Sequence, residues 1–209
     1  YFLWEKDKNE DCEVKSIQNG KTSILKRPLL EKGSDTFIRF NEAISILRKI
    51  KKLNEISILN QISSRKPFGI SSIPIKEEYF KDSVKIYSYP KNGFISKDKI
   101  IQNKDWVDEY KVFIAKAYGE RGSFPYKVIG KPFLGEKNSC SSETYLVFGP
   151  YSSKKRAENV ISYINTSLFR FLVLFKKNTQ NAAKGVYSFV PLQNFDESWS
   201  DEKLYKKYG

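Results

Sequence analysis

Apolar residues along this chain recur with a period that changes several times, and each change marks an element. Tyr1-Phe-Leu-Trp4 is a short apolar run suited to a buried strand. Glu5 to Asp11 reads as a polar turn, and Cys12-Glu-Val-Lys-Ser-Ile17 then alternates with period two. Asn19-Gly20 is a strong hairpin turn signal, so residues 1–27 read as a β-hairpin. A hairpin alone is marginal in water, which predicts that this one capped a larger sheet. Pro28 to Asp35 is a connector. From Thr36 the spacing becomes helical through Phe37, Ile38, Ile44, Leu47, Ile50 and Leu53, with Ser34 or Asp35 as the cap. Arg48, Lys49, Lys51 and Lys52 occupy the opposite face. Ile56 to Asn60 extends this helix or starts a short new one, and Ser63 to Gly69 breaks it.

Strands are expected at Val84 to Tyr89, Tyr110 to Ile114, Tyr126 to Ile129, Glu143 to Phe148 and Val186 to Val190. Pro90-Lys-Asn-Gly93 turns the chain, and Ser96 to Asn103 reads as a short helix. Gly149-Pro150 is expected to end the fourth of these strands. Ser152 or Ser153 then caps a helix with the stripe Ala157, Val160, Ile161, Ile164, Leu168 and Phe171. It breaks near Thr166 and runs to about Lys177, and an aromatic-rich tail closes the chain. Strands and helices mix without strict βαβ alternation, which predicts an α+β fold with a mixed sheet and packed helices.

Composition adds an expected partner. The formal charge of +13, from 37 Lys+Arg against 24 Asp+Glu, favours an anionic partner, with nucleic acid first. An aromatic fraction of 15% predicts a folded chain, not a basic tail. Cys12 and Cys140 are too few for a disulfide framework, which fits a reducing cytoplasm. No apolar run approaches membrane-span length. The chain contains no histidine, which removes Ser-His-Asp and Cys-His catalysis and most zinc sites. It has no methionine and opens on Tyr1, which predicts a piece of a longer protein.

A metal-dependent nuclease would need a carboxylate pair and an Asp/Glu-x-Lys triplet on adjacent strands. Glu13/Lys15 and Glu109/Lys111 have the triplet spacing without a convincing partner aspartate. No phosphate-binding or nucleophile-elbow motif occurs, nor does the glycine-rich cofactor loop or the Asn/Asp-Pro-Pro-Tyr/Phe loop of a methyltransferase. No catalytic, cofactor-binding or metal residue is therefore assigned. Loops carry the material for DNA binding: Arg65 and Lys66, Arg121, Lys137 and Ser139, and Lys176, Lys177, Asn178, Gln180 and Lys184. Lys and Arg neutralise phosphates, while Arg, Asn and Gln can read base edges. Arg170, amid an apolar run, reads equally as a DNA contact or as a core-edge residue paired with a carboxylate.

Several segments, in order, resemble one family. Tyr1-Phe-Leu-Trp-Glu-Lys-Asp7 followed by Asp11-Cys12 resembles the hairpin that closes the catalytic domain of adenine-N6-specific DNA methyltransferases of restriction–modification systems. Phe37-Ile-Arg39, Arg65-Lys-Pro-Phe-Gly69, Tyr110 to Lys116, Ser142-Glu-Thr-Tyr145, Thr166 to Phe171 and Tyr187 to Tyr205 are similar to the TaqI-like specificity region that follows it. The resemblance implies that residues 1–27 are a remnant of a Rossmann-like methyltransferase domain, 28–35 a linker and 36–209 the target-recognition domain. It also implies a bacterial parent that uses S-adenosylmethionine in an upstream catalytic domain of the same polypeptide, with Mg²⁺ as well if that parent cleaves DNA. The partners expected are double-stranded DNA and that catalytic domain. A stand-alone Mg²⁺ nuclease fragment and a protein-interaction module are the alternatives.

Overall fold

The computed structural model describes residues 3, 5–7, 10–71, 73–119 and 127–209, and the chain divides into two compact units, Tyr1–Asn54 and Glu55–Gly209. In the first unit β1 (Cys12–Gln18) pairs antiparallel with β2 (Lys21–Arg27). Asn19 and Gly20 join them with φ of 49° and 75°, the two left-handed residues that a tight right-twisted hairpin requires. Tyr1, Phe2 and Trp4 of the expected first strand lie outside the described residues, and Leu3 is exposed and irregular.

Helix α1 (Asn41–Lys52) starts later than its apolar spacing predicted, and neither Ser34 nor Asp35 caps it. The reason lies in side-chain bonds that hold the preceding residues extended. The carbonyl of Ile38 accepts from Arg27 Nη2 at 2.5 Å and that of Arg39 accepts from Ser16 Oγ at 3.1 Å. Asn41 then joins helix to hairpin, donating to the Val14 and Ser23 carbonyls at 2.8 and 3.1 Å and accepting from Arg27 Nε at 3.1 Å. Ala43, Ile44, Leu47 and Ile50 form the buried stripe.

The larger unit is mixed α+β. One sheet has the order β4 (Gly93–Ser96), β3 (Ser83–Tyr87), β7 (Ser139–Ser141), with β3 and β7 parallel. The other has the order β6 (Phe133–Gly135), β5 (Tyr110–Ala115), β8 (Tyr145–Tyr151), all antiparallel. Phe113 and Val147 face the first sheet and join a core with Val84, Ile86, Ile95 and Cys140. The opposite face packs on helices α2 (Lys154–Ile164) and α3 (Ser167–Leu174), where Phe148 meets the rings of Phe169 and Tyr187 at 6.4 and 5.5 Å. Strand β5 therefore lies between two apolar layers.

Several boundaries differ from the sequence expectation. β8 runs on to Tyr151 because a bulge opposite Lys111 absorbs Gly149, at φ 126°, and Pro150. No strand forms at 127–129, where Val128 is left-handed at φ 59°, and Tyr126 lies outside the described residues. Lys184–Tyr187 is a 3-10 turn that drives the Tyr187 ring into the core, in place of the expected strand. Ile58–Gln61 and Lys97–Lys99 are also single 3-10 turns. Ser153 caps α2 as expected, and the helix breaks at Thr166, which caps a separate helix α3 that stops at Leu174.

The tail forms a helix that its polarity concealed, α4 (Asp201–Tyr208), capped by Ser200 and anchored by buried Leu204. Asp201 also caps α3, accepting from the Ser167 and Leu168 amides at 2.8 and 3.2 Å. Replacing Asn41 with Ala leaves two buried carbonyls and Arg27 short of a partner. The smaller unit should lose about 1–3 kcal/mol, measured from the urea midpoint of its transition.

Candidate nucleic-acid interface

The ladder of β5 decides which loops meet. Past Ala115 the chain continues extended, and Lys116 N donates to Thr144 O at 2.9 Å. On the other edge Ala182 N donates to Lys116 O at 2.7 Å and Tyr118 N to Gln180 O at 2.8 Å. Beyond β8, Ser63 N donates to Val147 O at 2.8 Å and Ile62 bridges Phe148. Four segments thus lie side by side: 62–66, 143–148, 112–118 and 180–182.

Arg65, Lys66 and Lys116 come together around Glu143, and the loop chemistry had not singled out Lys116; Gln180 lies on the adjoining segment, and Asn178 is exposed two residues before it. Arg65 is 65% exposed and is bound to Glu143, with Nε and Nη2 at 3.0 and 2.6 Å from Oε2. Those bonds, with the nearby charges of Lys116 and Lys66, hold the Glu143 carboxyl below its ordinary value. Lys66 sits in the left-handed region at φ 59° and its carbonyl closes the turn to Gly69 at 2.9 Å. Lys176 places its ammonium 5.4 Å from the centre of the Phe189 ring, and Lys184 opens the next 3-10 turn. Lys177 is only 6% exposed and donates to Tyr118 O at 3.2 Å, so it ties the rim together and is not a phosphate contact. Arg121 lies outside the described residues.

Lys137 and Ser139 belong elsewhere. Lys137 covers the ring of Tyr110, at 5.4 Å, and Tyr110 begins β5 while Lys116 lies beyond its end. Six residues of extended chain put these sites about 20 Å apart. Ser139 is 1% exposed and lies inside the fold, its hydroxyl donating to Glu136 O and accepting from Lys111 Nζ at 3.2 Å. Among the described residues Arg170 bonds neutral acceptors, Ile164 O at 3.4 Å, Lys127 O at 3.3 Å and Asn165 Oδ1 at 3.1 Å, and no carboxylate.

The Glu109/Lys111 triplet does not form a nuclease centre. Lys111 is fully buried, and its ammonium donates to Val107 O at 3.0 Å and Ser139 O at 2.8 Å. Among the described residues no three His, Cys, Asp or Glu side chains gather as metal ligands. Glu13 and Lys15 are exposed on one face of the hairpin.

Beside the rim is a cavity of about 280 Å³. Ile70, Ile73, Ile75 and Ile86 form its apolar side, and Ser88, Ser142 and Thr144 its polar side. The Ser88 hydroxyl donates to Ser142 Oγ at 2.8 Å, and Ser142 and Thr144 share a hydrogen bond of 2.8 Å. Glu143 also lines it. Sequence reasoning missed this site because its parts are common residue types from three separate segments, with no local spacing to link them. No family model matches the chain, and no curated protein matches it in sequence.

Burial pushes the Lys111 ammonium down to about 8 and the Cys140 thiol up to about 12. Folded Lys111 therefore releases its proton near pH 8, while the unfolded chain keeps it to the ordinary lysine value. Above pH 8 the unfolded state binds more protons, so stability rises with pH. Cys140 opposes this above its ordinary value, because the folded thiol then holds a proton that the unfolded chain releases. Stability should rise by about 1 kcal/mol between pH 8 and 9, and Lys111→Met should abolish that rise in urea titrations at the two pH values.

Proposed function

We propose that this chain binds double-stranded DNA as the target-recognition part of a bacterial adenine-N6 methyltransferase of a restriction–modification system. The observation that carries the reading is the rim at the end of β5, where ladder bonds line up Arg65, Lys66, Lys116 and Gln180 in one chain of net charge +13. Lysines there would neutralise phosphates, and exposed Asn178 and Gln180 would reach base edges.

On this reading the hairpin of residues 12–27 is a remnant of a Rossmann-like catalytic domain upstream. Ile17 and Ile24, 67% and 58% exposed on its outer face, would then pack on that domain. S-adenosylmethionine would be bound there and not by this chain. The ordered resemblance to the methyltransferase family supports the assignment, and the reading frame before Tyr1 should encode a cofactor loop and an Asn/Asp-Pro-Pro-Tyr/Phe motif.

Fluorescence anisotropy on a 30-base-pair duplex tests DNA binding directly. The logarithm of affinity should fall against the logarithm of salt with a slope of about −3 to −4. The Lys66→Ala/Lys116→Ala double variant should flatten the slope by about two, while Lys137→Ala at the far end of β5 should leave it unchanged. Absence of binding at low salt, or affinity indifferent to salt, would refute the reading.

A further inference from the structure

Glu143 is held by one oxygen only. Both bonds from Arg65 fall on Oε2, whereas Arg48 grips Glu31 through both carboxylate oxygens, each at 3.0 Å. Among the described residues Oε1 of Glu143 has no hydrogen-bond partner, and the residue lines the cavity beside the rim. The Arg65 guanidinium and the charges of Lys66 and Lys116 keep this carboxylate ionised. The site therefore offers a fixed, negatively charged acceptor, next to the linked hydroxyls of Ser142 and Thr144 and across from an aliphatic wall.

That combination fits a flat, partly apolar ring carrying an amino group. A volume of about 280 Å³ falls just below the range for drug-sized ligands, which suits a single heterocycle and not a dinucleotide. Cationic surroundings favour a ring attached to phosphates. Glu143 keeps 26% of its side chain exposed, so its carboxylate is open to an incoming base. Tyr89 is 79% exposed at the mouth and offers a ring for stacking on a neighbouring base.

We infer that this cavity receives one extrahelical nucleobase bearing an exocyclic amino group, which donates to Glu143 Oε1. The Thr144 hydroxyl, backed by the buried Ser142 hydroxyl, serves a ring nitrogen or keto oxygen, and Ile73 and Ile75 lie against the ring. Thymine is disfavoured because it has no amino group, and its one Watson–Crick-edge donor, N3–H, is flanked by two keto oxygens that would lie beside the carboxylate. The inference rests on the DNA-binding reading and adds a selective pocket to it.

The test uses the full chain and five duplexes of one sequence: perfectly paired, or with a single unpaired A, C, G or T. In anisotropy titrations at low salt the A, C and G bulges should bind about tenfold more tightly than the T bulge or the paired duplex. Glu143→Gln, whose amide can donate to a keto oxygen, should shift the preference toward T. Thr144→Val should weaken all the bulges and leave the paired duplex unchanged. Equal affinity for paired and bulged duplexes overturns the pocket and leaves DNA binding standing. So does a bulge preference that ignores base identity or survives Glu143→Gln unaltered. If no duplex binds at all, both readings fall.

Discussion

The Lys111 ammonium, withdrawn from water inside β5, ties the two sheets of the larger unit together. Its acceptors are Val107 O, just before β5, and Ser139 O and Oγ, on the edge strand of the other sheet. A buried cation without its acceptors would cost several kcal/mol, so these groups must stay where they are. The bulge opposite Lys111 lets β5 keep this residue in place while its neighbours pair with β8. The opposite end of the same strand carries Lys116 and orders the loops around it. The candidate site is thus positioned by an interaction at the far end of its own central strand.

Legibility followed how local each determinant was. The Asn19-Gly20 turn, the alternation in β1, the Ser153 cap and the break at Thr166 are decided by residues a few positions apart, and all were readable. Residues 36–40 have helical spacing but lose it to Arg27 and Ser16, which belong to the hairpin. Val186 to Val190 has strand composition, yet Tyr187 serves the core better from a turn. Helix α4 hides because only Leu204 is buried in it and its hold comes from Glu55, bonded by Tyr208 at 2.5 Å from the other end of the unit.

For the site, composition and loops raise the expectation of an anionic partner but do not give the geometry. Arg65 and Lys66 were visible as a basic loop. Glu143 was not visible as their counterpart, since 78 positions separate it from Arg65. Ser139 and Lys177 were misread because hydroxyls and ammoniums near basic runs look exposed on paper, while in the fold both satisfy buried carbonyls. Long-range pairing is what a single sequence conceals most completely.

The division of labour between Arg65 and the rim lysines has a kinetic consequence. A guanidinium binds phosphate as a rigid fork with preferred angles, whereas an ammonium on a flexible stem acts as a point charge. Arg65 spends its fork on Glu143, and the cations beside it are Lys66 and Lys116. On the proposed function, such a grip changes little in energy as the duplex advances by one base pair. The protein would slide along DNA with a low barrier, searching in one dimension until a base-specific contact arrests it.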